Sequence, residues 1–89
     1  MDVVDNRAAS RFELATDAGP AFAAYERDGD VMTFTHTVVP PEAEGQGVGG
    51  RLVAGALAQV RAEGMKIVPA CSFVRAYVER HPEWRDLVA

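Results

Sequence analysis

Val38-Val39-Pro40-Pro41-Glu42-Ala43-Glu44-Gly45-Gln46-Gly47-Val48-Gly49-Gly50-Arg51-Leu52 carries a strand end into a helix through a loop with four glycines in six residues. Glycine lets the backbone approach a ligand closely and adopt positive φ. The N-terminus of the following helix adds unpaired N–H groups and the positive end of a dipole. Strand, glycine loop and helix together make a cradle for phosphate, so the stretch predicts an α/β domain with a phosphorylated ligand.

On the N-terminal side, Arg11-Phe12-Glu13-Leu14-Ala15 alternates as a short strand, and Asp17-Ala18-Gly19-Pro20 is a turn. Ala21 to Glu26 reads as a second strand, with Phe22 and Ala24 on one face and Ala23 and Tyr25 on the other. Asp28-Gly29 is a hairpin signal. Val31 to Val39 reads as a third strand, with Met32, Phe34, His36 and Val38 on one face and Val31, Thr33, Thr35, Thr37 and Val39 on the other. On the C-terminal side, Val48, Leu52, Val53, Ala56, Leu57 and Val60 recur at helical spacing, and Gly64 stops the helix. Met65 to Pro69 fits a buried strand, Cys71 to Arg80 a second helix, and Pro82 opens a last helical turn with Trp84 and Leu87.

The order is thus β-β-β-loop-α-β-α: an antiparallel meander feeding a right-handed β-α-β crossover and a C-terminal helix, an α/β (or α+β) fold. Ligands of open α/β sheets sit at the C-terminal ends of the parallel strands, where the glycine loop and Cys71 converge. Residues 1–10, small and polar, read as a flexible arm, and residues 11–89 as a single domain.

The 89 residues are 48% hydrophobic and 25% charged, ordinary for a soluble globular protein of one domain. No stretch has the length and apolarity of a membrane span, and Met1-Asp2-Val3-Val4-Asp5 lacks a signal pattern, so a cytoplasmic location is expected. One cysteine and two histidines at no ligand spacing predict no metal site. A net charge of −4 argues against a nucleic-acid surface and suits a basic substrate such as an amine.

Gly45-Gln46-Gly47-Val48-Gly49-Gly50 satisfies the dinucleotide spacing G-x-G-x-x-G. That ligand also needs an acidic residue at the end of the next strand, where Ile67-Val68-Pro69-Ala70 has none, and a second half of the fold. The Gly-Lys-Ser/Thr of a P-loop is absent. Gly45-Gln46-Gly47-Val48-Gly49, between strand and helix, instead resembles the acyl-CoA loop of the GNAT N-acetyltransferases, Gln/Arg-x-x-Gly-x-Gly/Ala. His36-Thr37-Val38-Val39-Pro40, the loop, Pro69-Ala70-Cys71-Ser72-Phe73-Val74, Tyr77 and His81-Pro82 resemble a subfamily of very small, stand-alone GNAT-like proteins with a cysteine at the start of the last main helix. The likeness runs from about Phe12 to Leu87.

The resemblance implies a minimal GNAT-like fold and acetyl-CoA, or coenzyme A, as co-substrate. Gly45, Gln46, Gly47, Val48, Gly49 and Gly50 would then cradle the pyrophosphate, Val38 and Val39 would pair with the pantetheine arm, and Cys71 would lie near the thioester. Glu44 stands where the family usually has Gln or Arg, and the chain has no room for the N-terminal helices that wall the acceptor site in larger members.

Transfer of acetyl to an amine needs a neutral amine, a stabilised oxyanion and a proton for the leaving thiolate. The resemblance implies that a backbone N–H near Val39 polarises the thioester carbonyl. Three side chains are candidates for catalysis. Cys71, at a helix N-terminus, reads as a nucleophile forming an acetyl-cysteine, as a thiol assisting transfer, or as a small apolar filler. His36 reads as a general base or a hydrogen-bonded core residue. Tyr77 reads as the acid that protonates the thiolate, as in many GNAT enzymes, or as a core aromatic beside Phe73, Val74 and Val78. Two functions follow: N-acetyltransfer to a primary amine of a small molecule or a protein, by a monomer or weak homodimer, or a non-catalytic acyl-CoA-binding module.

Overall fold

Alternation in the first half of the chain builds a five-stranded sheet with one face apolar enough to hold two helices. The computed structural model describes residues 3–89. Its strands are β1 (Val4–Asn6), β2 (Arg11–Leu14), β3 (Ala21–Asp28), β4 (Val31–Val38) and β5 (Lys66–Pro69), in the spatial order β1-β2-β3-β4-β5. The first four pair antiparallel and β5 runs parallel to β4, the meander-plus-crossover order that the sequence predicts. Helix α1 (Val48–Ala62) makes the crossover and α2 (Ser72–Arg80) follows β5. Short 3-10 turns occupy Arg7–Ala9, Pro41–Ala43 and Pro82–Leu87.

One core lies between the helices and one sheet face. Phe12 and Leu14, Ala21, Ala23 and Tyr25, and Met32 and Phe34 meet Leu52, Val53, Ala56 and Leu57 of α1 and Val74 and Val78 of α2. The hydrophobic effect acting on that buried surface holds the two layers together. The C-terminal segment closes the edge of β5: Val88 bridges Ile67, and the Ala89 N–H donates to the Ile67 carbonyl at 2.9 Å.

Two expectations are corrected. Residues 3–10 are not a free arm. Val4, Asp5 and Asn6 pair with Glu13, Phe12 and Arg11, and Asp5 accepts a 2.6 Å hydrogen bond from the Tyr25 hydroxyl. Gln59 of α1 donates to the Val3 carbonyl, and Arg7 pairs with Glu63 at 3.1 Å. These contacts use polar groups that a hydrophobic pattern does not register. Residues 1–2 of the expected arm lie outside the described residues.

The second correction concerns the faces of β4. Ala24 stands opposite His36 and Tyr25 opposite Phe34, so Thr35 is an extra residue, a β-bulge. A bulge inserts one unpaired residue and reverses which face the following side chains take. Met32 and Phe34 are buried, whereas His36 and Val38 are exposed on the opposite face, away from the helices. There the His36 ring meets Phe22 edge-on, with centroids 5.9 Å apart. Thr37 takes the core face in their place.

Candidate functional site

The parallel pair β4–β5 ends early, and that opens a fork. Its last register pair is Phe34↔Pro69, sealed by the Cys71 N–H donating to the Phe34 carbonyl at 2.8 Å. Beyond it β4 continues through Thr35–Val38, while the segment after β5 turns away into α2. Pro69 has no N–H to offer a ladder, which suits the end of pairing there. The space between is a cavity of about 400 Å³, walled by Thr37 and Val39, by the backbone from Ala43 to Gly50 with Gln46 excepted, and by Phe73 of α2.

The glycines have separate reasons in this wall. Gly47 is the N-cap of α1 at φ +75°, a left-handed conformation that side chains other than glycine disfavour. Gly49 lies under the Phe73 ring, and a Cβ there would stand 2.6 Å from the ring's Cζ. The missing side chain lets the aromatic wall close against the helix start. The first intrahelical bond runs from the Arg51 N–H to the Gly47 carbonyl at 3.1 Å, so the N–H groups of Val48, Gly49 and Gly50 are the orphan donors of the first turn. Among the described residues no side chain caps them, and the first turn carries no acidic residue. The cavity thus combines an anion-seeking helix end with the free edge of an extended strand, which can pair with an amide-bearing chain. Glu44 is the only titratable side chain lining it among the described residues.

Gly45, Gly47, Val48, Gly49, Gly50 and Val39 come together in this wall. Gln46 faces a neighbouring concavity of about 460 Å³, with Thr16, Asp17 and Glu42 among its walls. Val38, 42% exposed, takes the open sheet face with His36 because of the bulge, so neither side chain lines the cavity. Cys71 is the N-cap of α2, 7% exposed, with its Sγ 3.4 Å from the Thr37 Oγ1, one layer behind the cavity wall. Tyr77 does not reach the fork. Its ring stacks on His81 at 4.0 Å, and the His81 Nδ1 lies 2.9 Å from the Tyr77 carbonyl. Thr37, Ala43 and Phe73 are wall residues that sequence reasoning passes over. Thr37 is hidden by a bulge without a sequence signal, and Phe73 by an apolar spacing that reads as core.

A sequence model of the GCN5-related N-acetyl-transferase family matches residues 11–87, nearly the whole chain and all of the fork. The chain belongs to that family. A solved member of similar shape is a GCN5-like protein from Staphylococcus aureus, described as a candidate N-acetyltransferase and determined in solution by NMR. It superposes with a TM-score of 0.75 at 25% identity, over 99% of this chain and 87% of that one. The mixed α/β arrangement of sheet and helices is shared with that structure. The cavity of this GCN5-related family member has an uncapped helix start at one end and a strand edge along one side, with the Cys71 thiol behind it beside the Thr37 hydroxyl.

Proposed function

We propose that this protein transfers an acetyl group from acetyl-CoA to an exposed primary amine, of a small molecule or of a protein lysine or N-terminus. The observation that carries the proposal is the fork cavity, lined by Val48, Gly49 and Gly50 of the uncapped helix start and by Thr37 and Val39 beyond the last β4–β5 pair. Its chemistry fits the donor. The helix N-terminus suits a pyrophosphate, the strand edge suits the amides of a pantetheine arm, and the glycines leave room for both. When bound, acetyl-CoA supplies an activated thioester. The chain's own part is to orient and to stabilise charge. A backbone N–H near Val39 would donate to the thioester oxygen as negative charge develops on it. The Thr37 hydroxyl and Cys71 thiol, 3.4 Å apart, form a pair through which a proton can pass.

Incubation with acetyl-CoA and a panel of amines and peptides, followed by mass spectrometry, tests this reading. Acetylated product above the uncatalysed rate supports it. A panel without product, in the presence of demonstrated acetyl-CoA binding, favours a second reading, an acyl-CoA-binding module without catalysis. Glu44 is the observation behind that alternative: a carboxylate beside a phosphate cradle opposes the ligand's charge, and no histidine lines the cavity to act as a base. Action in the cytoplasm belongs to the same proposal and rests on the chain's composition. Among the described residues, no helix is long and apolar enough to cross a membrane.

A further inference from the structure

Phe73 walls two cavities. One is the fork; the other, about 280 Å³, runs along the face of α2 formed by Phe73, Ala76, Tyr77, Arg80 and His81. Resting on the acyl-CoA reading above, we propose that this groove takes the 3′-phosphonucleoside end of the acyl donor, with Arg80 selecting the 3′-phosphate.

Continuity is the first argument. The groove begins where the fork ends, at the 43%-exposed Phe73 ring that packs on Gly49. At the next residue of α1, a Cβ on Gly50 would lie 3.7 Å from the Tyr77 Cε1. A diphosphate held by the first-turn N–H groups therefore leaves its nucleoside at the mouth of the groove, with α2 running alongside. Two helical turns separate Phe73 from Arg80, about 10 Å at the usual rise.

Chemistry is the second argument. The walls offer aromatic surface in Phe73 and in the stacked Tyr77–His81 pair, which suits a purine. Among the described residues, Arg80 enters no ion pair, and no carboxylate lines the groove. A guanidinium matches a phosphate monoester geometrically and in charge. Tyr77, which the family resemblance offers as an acid for the leaving thiolate, becomes a wall for the nucleoside.

Calorimetric titration of the whole chain with CoA and with 3′-dephospho-CoA tests the assignment. The wild-type protein should bind CoA about fivefold more tightly than 3′-dephospho-CoA. Arg80→Gln should lower CoA affinity to the dephospho level and leave 3′-dephospho-CoA binding unchanged, whereas Arg75→Gln on another face of α2 should keep the preference. Equal affinity of the wild type for the two ligands, or a preference surviving in Arg80→Gln, overturns the groove assignment while leaving the donor reading intact. Failure of both ligands to bind overturns both.

Discussion

Two side chains, Glu44 and Phe73, set how the fork receives a ligand. Glu44 occupies the place where a Gln or Arg would leave the phosphate cradle neutral or positive, and it lines the cavity. Glu44→Gln should strengthen CoA binding about threefold at low ionic strength, and the gain should shrink in high salt as the charge is screened. Unchanged affinity in Glu44→Gln would mean that the carboxylate points away from the bound phosphates. Phe73 depends on Gly49. Gly49→Ala places a methyl 2.6 Å from the ring's Cζ, and the ring must move. Because Phe73 is 43% exposed, its ring can swing aside, and the helix gain of alanine offsets the cost, so denaturant unfolding should change by less than about 1 kcal/mol while CoA binding weakens. Unchanged CoA affinity would show that the position of the ring does not matter to the ligand.

At the scale of elements, the β4 bulge decides which residues reach the site. It sends His36 and Val38 to the open face and brings Thr37 beside Cys71. Thr37→Val removes the hydroxyl from the thiol and should slow alkylation of Cys71 by iodoacetamide about threefold near neutral pH, through loss of a hydrogen bond to the thiolate. Thr37→Ser should restore the rate, and Val38→Thr should leave it unchanged. Equal rates in the wild type and Thr37→Val would reduce the pair to packing. Strands β2 to β5 and both helices were legible in the sequence because their periods of 2 and 3.6 follow directly from burial. The glycine loop was legible because its positive-φ positions need glycine. The bulge was not: Thr35 differs in no local property from Thr33 or Thr37, and only pairing with β3 singles it out. The edge strand β1 was missed for a related reason, since Asp5 and Asn6 are held by Tyr25 and Glu13 through hydrogen bonds rather than by an apolar face.

Across the whole molecule, the N-terminal strand ties the sheet edge to the far end of α1, leaving the fork at the opposite end of that helix. Tyr25 is central to the tie. Burial, then its hydrogen bond to Asp5, pushes its phenol up from 10.0 to about 12. With the folded value above the unfolded one, the folded chain holds the proton more tightly. Stability from this group is therefore fully present below pH 10 and is lost as pH rises from 10 towards 12. Tyr25→Phe should unfold with a flatter pH dependence across that window in chemical denaturation, and equal slopes for the two proteins would contradict the linkage. Independent of this tie is the proposed binding of an acyl-CoA by the fork and its helix N-terminus. Backbone amide NMR during titration with acetyl-CoA tests that most directly. The predicted result is saturable shifts of the Val48, Gly49 and Gly50 amides, with those of Thr37 and Val39 and no comparable change at His36. Absence of shifts at millimolar acetyl-CoA, or shifts confined to the open sheet face around Phe22 and His36, would contradict it.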